Sequence, residues 1–352
     1  VANSGLEIEA TSSEAILIGT SSLSATSGTA SFAADLGLAG STSNTITLSY
    51  ITSFGGTEIS VSETITLLAG LPSSLRVLQD ATTVSTRAVF SPLPSVEVLD
   101  SYGNLVLSDN DSEVSVALYR NNVAISSESA TVTASSGVVV FSGLSYVATP
   151  NSNYRLQFSH TSISAVVTSS PFVIEPGPVA KVVIHQQPRT ITGGVATTMT
   201  GELFEDNAVV RLLDQDNNLV HTIDSGAITA TIASGSGGTL ISASATISNG
   251  SAEFDEMRLV GVVETPEQSA QEYKLTFSYG GFTSSESDVL KVKHNLATKL
   301  SLVQSASGGR ASSVFTTQPK VRLLDRYDNW VSTGTNVTVQ ADVVDENGVG
   351  SP

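Results

Sequence analysis

The chain has 352 residues, enough for two to four small domains that each bury a core. Only 14 % of the residues are charged, and 16 Lys and Arg stand against 33 Asp and Glu, for a net charge of −17. That balance provides no basic stripe for nucleic acid or an anionic membrane, and the absence of cysteine removes disulfides, thiolate catalysis and Cys-bound zinc.

The first ten residues, VANSGLEIEA, lack a basic stretch followed by an apolar one, so they do not read as a signal peptide. Nowhere does an apolar run approach the roughly 18 residues a membrane span requires. Both the start and the end (ENGVGSP) read as the middle of a domain. The chain is therefore expected to be a segment of a longer protein.

Residues 1–70 carry two markers: a Gly followed four positions later by Phe (Gly28, Phe32), and an alternating strand, Ile46, Leu48, Tyr50. Residues 71–176 repeat both, with Gly137 and Phe141, then Tyr154, Leu156 and Phe158. They open with a third marker, VEVLDSYGNLV from Val96. Residues 177–295 hold the full set: VVRLLDQDNNLV from Val209, then Gly250 and Phe254, then Tyr273, Leu275 and Phe277. Residues 296–352 hold only VRLLDRYDNWV from Val321. Asp100, Asp214 and Asp325 lie 114 and 111 residues apart (214−100 and 325−214). The expected organisation is the C-terminal half of a domain (1–70), two whole domains (71–176 and 177–295) and the N-terminal part of another (296–352).

β-branched and aromatic residues alternate with Ser, Thr and charged residues, and turn residues recur every 8–12 positions. No sustained helical stripe occurs, so almost no helix is expected. About seven short strands per domain point to an all-β chain of tandem Ig-like Greek-key β-sandwich domains. The junctions near Gly70, Gly177 and Asn295 are short and flanked by strands, which implies a semi-rigid rod.

The Asp-x-x-x-Asn phrase reads as a structural turn formed by Asp100 with Asn104, Asp214 with Asn218 and Asp325 with Asn329. The Asp can accept backbone N–H groups in an Asx-turn, and the Asn four residues on tolerates positive φ. The alternating apolar pair before each Asp (Val96 and Val98, Val210 and Leu212, Val321 and Leu323) should face the core. The competing reading is calcium. Asp214, Asp216 and Asn218 match the first three ligand positions of an EF-hand loop, but Leu219 and Ser225 stand where Gly and the bidentate Glu belong. If calcium stiffened these corners, chelation would lower their melting temperature.

Each Gly-to-Phe marker reads as a strand entry with a large core residue. Tyr154 and Tyr273 are expected to bury their rings and bond their hydroxyls to nearby backbone, as in a tyrosine corner. Trp330, which replaces the Leu of the other phrases, reads as a core or corner plug. The four histidines (His160, His185, His221, His294) do not recur at equivalent places, no nucleophile or phosphate-loop motif is present, and no enzymatic activity or cofactor is expected. Asn110, Asn249 and Asn336 are N-x-Ser/Thr glycosylation candidates.

The succession of strand, D-x-x-G-N, G-x-A-x-F and Y-x-L-x-F resembles the Ig-like repeats of bacterial adhesins of the invasin and intimin type. It is also similar to filamin-type repeats and to Ig-like repeats of large extracellular protist proteins. Only VLDSYGNLV carries the full D-x-x-G-N, and only Gly28–Phe32 and Gly250–Phe254 carry G-x-A-x-F. The resemblance implies an extracellular, cell-surface spacer, fibre or filament whose partners are neighbouring copies or other domains of the same chain. The alternative is an adhesin that binds a protein or a surface glycan through loops or exposed strand edges, and the polar insertion at 260–273 is its loop candidate.

Overall fold

The computed structural model describes residues 6–32, 35–42, 45–125, 130–189, 191–192, 195–263, 270–332 and 337–342. Every regular element among them is a strand, and no helix occurs among the described residues. The chain divides into two compact units, Val1–Glu175 and Pro176–Pro352.

The first unit opens with a four-stranded antiparallel sheet in the order Ser22–Ser24, Glu7–Ser12, Thr45–Phe54, Thr57–Thr66. The last two form a hairpin whose register runs from Thr45 opposite Thr66 to Phe54 opposite Thr57. Gly55 and Gly56, both at positive φ (59° and 81°), make the two-residue turn that matches the right-handed strand twist. Ile46 and Leu48 are buried and Tyr50 is half-buried. Phe32 departs from the expectation for its marker. It lies outside any strand and is half-buried, tilted against Tyr50 with ring centroids 5.5 Å apart.

The rest of this unit is a closed β-sandwich. One sheet orders Val138–Val140, Ser95–Leu99 and Ser74–Gln79; the other is built on Glu113–Arg120, Asn151–His160 and Phe172–Glu175. Alternation explains the core. Val96 and Val98 from one sheet meet Val114, Val116, Leu118, Leu156 and Phe158 from the other, all at 0 % exposure. Ser74–Gln79 runs antiparallel to Ser95–Leu99 as far as a bulge between Val77 and Gln79. The chain then crosses to the other sheet, where Val84–Ser85 pairs in parallel with Phe172–Glu175.

The second unit repeats this plan. Lys181–Gln186 pairs with Ala208–Leu213 up to a bulge between Ile184 and Gln186, and Val195–Met199 then pairs in parallel with Leu290–Lys293. Val210, Leu212, Ile228, Tyr273, Leu275 and Phe277 form its core at 0 % exposure. Lys299–Gln304 and Lys320–Leu324 follow as a hairpin with the same bulge, here between Leu302 and Gln304.

The third apolar pair corrects the expectation of a core-facing strand: Val321 is 45 % exposed and Leu323 half-buried. Among the described residues no strand packs over that hairpin face, so alternation alone does not bury it.

Candidate functional site

The three Asp–Asn corners share one hydrogen-bond pattern. Asp100 follows the buried strand Ser95–Leu99, its N–H donates to the Asn104 carbonyl at 2.9 Å, and the Gly103 N–H donates back to the Asp100 carbonyl at 3.2 Å. Asp100 Oδ1 accepts the amides of Tyr102 (2.8 Å) and Asn104 (2.9 Å). Its Oδ2 accepts the Gly70 amide and the Asn104 side-chain Nδ2, both at 2.9 Å. Asp214 does the same: Oδ1 takes the amides of Asp216 and Asn218, and Oδ2 takes Gly177 N–H and Asn218 Nδ2, all at 2.9 Å. Asp325 completes the set, with Tyr327 (2.8 Å) and Asn329 (3.0 Å) on Oδ1, and Asn295 N–H (2.8 Å) and Asn329 Nδ2 (3.1 Å) on Oδ2.

One detail corrects the sequence reading. The residue with positive φ is not the Asn but the one before it: Gly103 (80°), Asn217 (66°) and Asp328 (67°). The left-handed residue closes the turn, and the Asn is needed for its side-chain amide, which holds the Asp carboxylate. Gly, Asn and Asp are the residues that adopt this conformation at least cost.

These corners are built to satisfy an anion. Burial of Asp100 acts to raise its pKa, but the hydrogen bonds from Asn104, Gly70 and Tyr102 outweigh it and hold the carboxyl at about 2. The balance runs the same way at Asp214, where burial is outweighed by bonds from Asn218, Gly177 and Asp216, and the carboxyl is lowered. Both oxygens of Asp214 already accept N–H donors, so a calcium ion at Asp214, Asp216 and Asn218 would first have to displace them. Among the described residues no group of three His, Asp or Glu side chains is arranged to hold a metal ion.

Of the glycosylation candidates, Asn110 and Asn249 are exposed, while Asn336 lies outside the described residues. Asn110 Oδ1 accepts the Ser136 amide at 2.9 Å, capping the turn before Gly137. In the second unit Asp224 does this capping, and Asn249 is the capped residue, with its amide 3.0 Å from Asp224 Oδ1. The two sequons therefore occupy different positions of one turn-and-cap arrangement.

Tyr154 and Tyr273 bury their rings, at 1 % and 0 % exposure. The Tyr154 hydroxyl donates to the Thr149 carbonyl at 2.7 Å. The Tyr273 hydroxyl donates to the Ser236 carbonyl at 3.0 Å and accepts the Val262 amide at 2.9 Å. Trp330 is half-buried, with the Arg322 guanidinium 4.4 Å over its ring.

His160 has a serine beside it: Nε2 lies 2.9 Å from Ser112 Oγ. The Nδ1 of His160 accepts the amides of Ser162 (3.1 Å) and Ile163 (3.3 Å). A neutral ring that accepts at Nδ1 carries its proton on Nε2, so Nε2 donates to Ser112 and is not placed to take the hydroxyl proton.

Three buried serines have no counterpart in the sequence reading. Ser169 Oγ accepts the Leu156 amide at 2.9 Å and donates to the Ser170 carbonyl at 2.9 Å. Ser287 Oγ does the same for Leu275 (2.9 Å) and the Asp288 carbonyl (2.8 Å), and Ser284 Oγ for Phe277 (3.0 Å) and the Ser285 carbonyl (2.7 Å). Each hydroxyl replaces a backbone partner where a sheet ladder is interrupted. The available signal was spacing: Ser169 and Ser287 each stand three residues before a core side chain, Phe172 and Leu290.

No protein-family model matches the chain, and no curated protein matches it. Solved structures with a similar course include three at low identity. An Escherichia coli alpha-2-macroglobulin is 11 % identical, with 86 % of this chain and 31 % of that one covered, at a TM-score of 0.27. A beta-glycosidase from Bacteroides vulgatus is 10 % identical, with 64 % and 25 % covered, at 0.24. Domains 4–9 of a surface layer protein are 15 % identical, with 94 % and 46 % covered, at 0.21. The chain thus spans less than half the length of each, and scores this low carry no argument about function.

Proposed function

We propose that the chain is a structural segment of a large extracellular repeat protein, in which Ig-like domains stack into a stalk, fibre or filament at the cell surface. The domains run over 1–70, 71–176, 177–295 and 296–352, the first and last being parts. The observation that carries this reading is the identical hydrogen-bond pattern of the three Asp–Asn corners, two of which lead into closed cores with the same strand plan. A non-enzymatic role is supported by the tautomer His160 adopts beside Ser112 and by carboxylates already saturated with backbone donors. Partners on this reading are neighbouring domains or copies of the same long chain. Asn110, Asn249 and Asn336 carry glycans where the source attaches them, which hexose increments in the mass of the native protein would reveal.

Gold-labelled antibodies against the chain, applied to intact source cells, test the reading. Label on extracellular fibres or stalks is expected; label appearing only after permeabilisation contradicts it.

Adhesion is the second reading, and one observation favours it. Thr57–Thr66 is an edge strand with Ile59 (55 %) and Val61 (67 %) exposed, a template for pairing with another strand. Retention of the chain on a protein- or glycan-coated surface, lost on Val61→Lys, would favour that reading.

A further inference from the structure

The corner Asn does more than hold its own Asp. Asn104 Oδ1 accepts the amide of Thr42 at 3.0 Å, and its Nδ2 donates to the Gly40 carbonyl at 2.8 Å. A side-chain amide with its oxygen on one backbone N–H and its nitrogen on a nearby C=O pairs with that backbone as a β-strand does. Residues 40 and 42 lie in the loop just ahead of the strand Thr45–Phe54.

In the second unit Asn329 makes the corresponding reach. Its Oδ1 accepts the Val263 amide at 2.8 Å, and the adjacent Trp330 N–H donates to the Val263 carbonyl at 3.2 Å. Val263 again lies ahead of the long aromatic strand, here Gln271–Tyr279. Thr42 and Val263 share no side-chain chemistry, because the contact is to backbone alone.

Further groups converge on the junction at Asn295. Asn295 Nδ2 donates to the Thr200 carbonyl (3.2 Å) and to Glu202 Oε1 (2.7 Å), which also accepts Arg326 Nη2 at 3.0 Å. Gly201 sits at φ 74°, and a Cβ there would overlap the Tyr327 hydroxyl. Asn329 is 3 % exposed, so loss of these partners would leave a buried amide unpaired.

We propose that the corner is an inter-segment latch. The Asp carboxylate fixes the N–H of the linker (Gly70, Asn295), while the Asn amide clamps the loop ahead of the aromatic strand in the preceding segment. At these two junctions a five-residue turn thereby sets the angle at which the following segment leaves the one before it. The inference holds whether or not the chain belongs to an extracellular stalk, since it concerns contacts within this chain.

The full chain is suited to the test because it contains no cysteine. Spin labels on Ser60→Cys and Thr131→Cys report the distance between segments 1–70 and 71–175, and labels on Thr131→Cys and Thr168→Cys report a distance within 71–175. Asn104→Ala should broaden the first distribution, leave the second unchanged, and speed amide exchange at Thr42 roughly fivefold, the size of one neutral hydrogen bond. Thr42→Pro removes the N–H from the other side without touching the corner and should broaden the first distribution equally. If Asn104→Ala unfolds its segment, Thr42→Pro decides alone. The proposal is overturned if Thr42→Pro leaves the first distribution as narrow as in the parent. It is equally overturned if Asn104→Ala weakens protection only at Tyr102 and Asn104, which would confine the Asn to its own corner.

Discussion

Asp100→Asn is the sharpest probe of the corner. The substitution keeps Oδ1 for the amides of Tyr102 and Asn104 but replaces Oδ2 with an NH2 group. That group then faces two donors, Gly70 N–H and Asn104 Nδ2, each 2.9 Å from the original oxygen. The carboxyl is lowered from 3.8 to about 2 in the folded chain, which corresponds to roughly 2 kcal/mol favouring the charged form. The donor–donor contact adds about 1 kcal/mol, for a total near 3 kcal/mol. Melting of a chain with two units sums separate transitions, so the assay should be local. Hydrogen exchange of the Val98 amide, bonded to the Gly137 carbonyl at 2.8 Å, reports opening of this sandwich. A loss near 3 kcal/mol there, with the amide of Leu212 in the second unit unchanged, is expected. A change below about 0.5 kcal/mol would refute the view that the carboxylate organises the corner.

Acid should act through the same groups. Because the folded pKa of Asp100 lies below the unfolded value, its contribution is present in full above about pH 5 and is lost as pH falls from 3.8 towards 2. Asp214 is lowered too, so the second unit should also weaken as acid protonates that carboxyl, read by exchange at pH 5 and pH 2.5. Tyr273→Phe removes a hydroxyl that serves two backbone groups and should cost about 2 kcal/mol, against about 1 kcal/mol for Tyr154→Phe, which loses one bond, both measured by exchange of neighbouring core amides. Val96→Ala empties part of a closed core and should cost roughly 2 kcal/mol, whereas Val321→Ala, at a residue 45 % exposed, should cost under about 0.5 kcal/mol. Equal losses in that last pair would contradict the exposure of Val321 in the strand Lys320–Leu324.

The strands and the two cores were legible because alternation carries them. Val96 and Val98, Val210 and Leu212, and the Tyr-x-Leu-x-Phe strands all bury as their period predicts. Alternation cannot report whether a second sheet covers a strand, and among the described residues none covers Val321, which is 45 % exposed. The turn itself was legible from the recurring Asp and Asn, but the left-handed residue was misplaced by one position. Gly103, Asn217 and Asp328 share a conformation and not an identity. The reach of Asn104 to Gly40 and Thr42 had no signal at all, because its partners are backbone atoms over 60 residues away in sequence. The serine repairs at Ser169 and Ser287 were hidden by composition, since Ser is common throughout the chain.

The proposed structural role requires separately closed sandwiches, and pulling the chain from its two ends tests that most directly. The two closed cores span 102 and 113 residues (175−74+1 and 293−181+1). At about 3.5 Å per residue, each should release roughly 350 to 400 Å of chain, less its folded length, in its own discrete event. Two separate force peaks with those increments are the predicted result. A single event releasing both cores together, or extension with no peak, would contradict it.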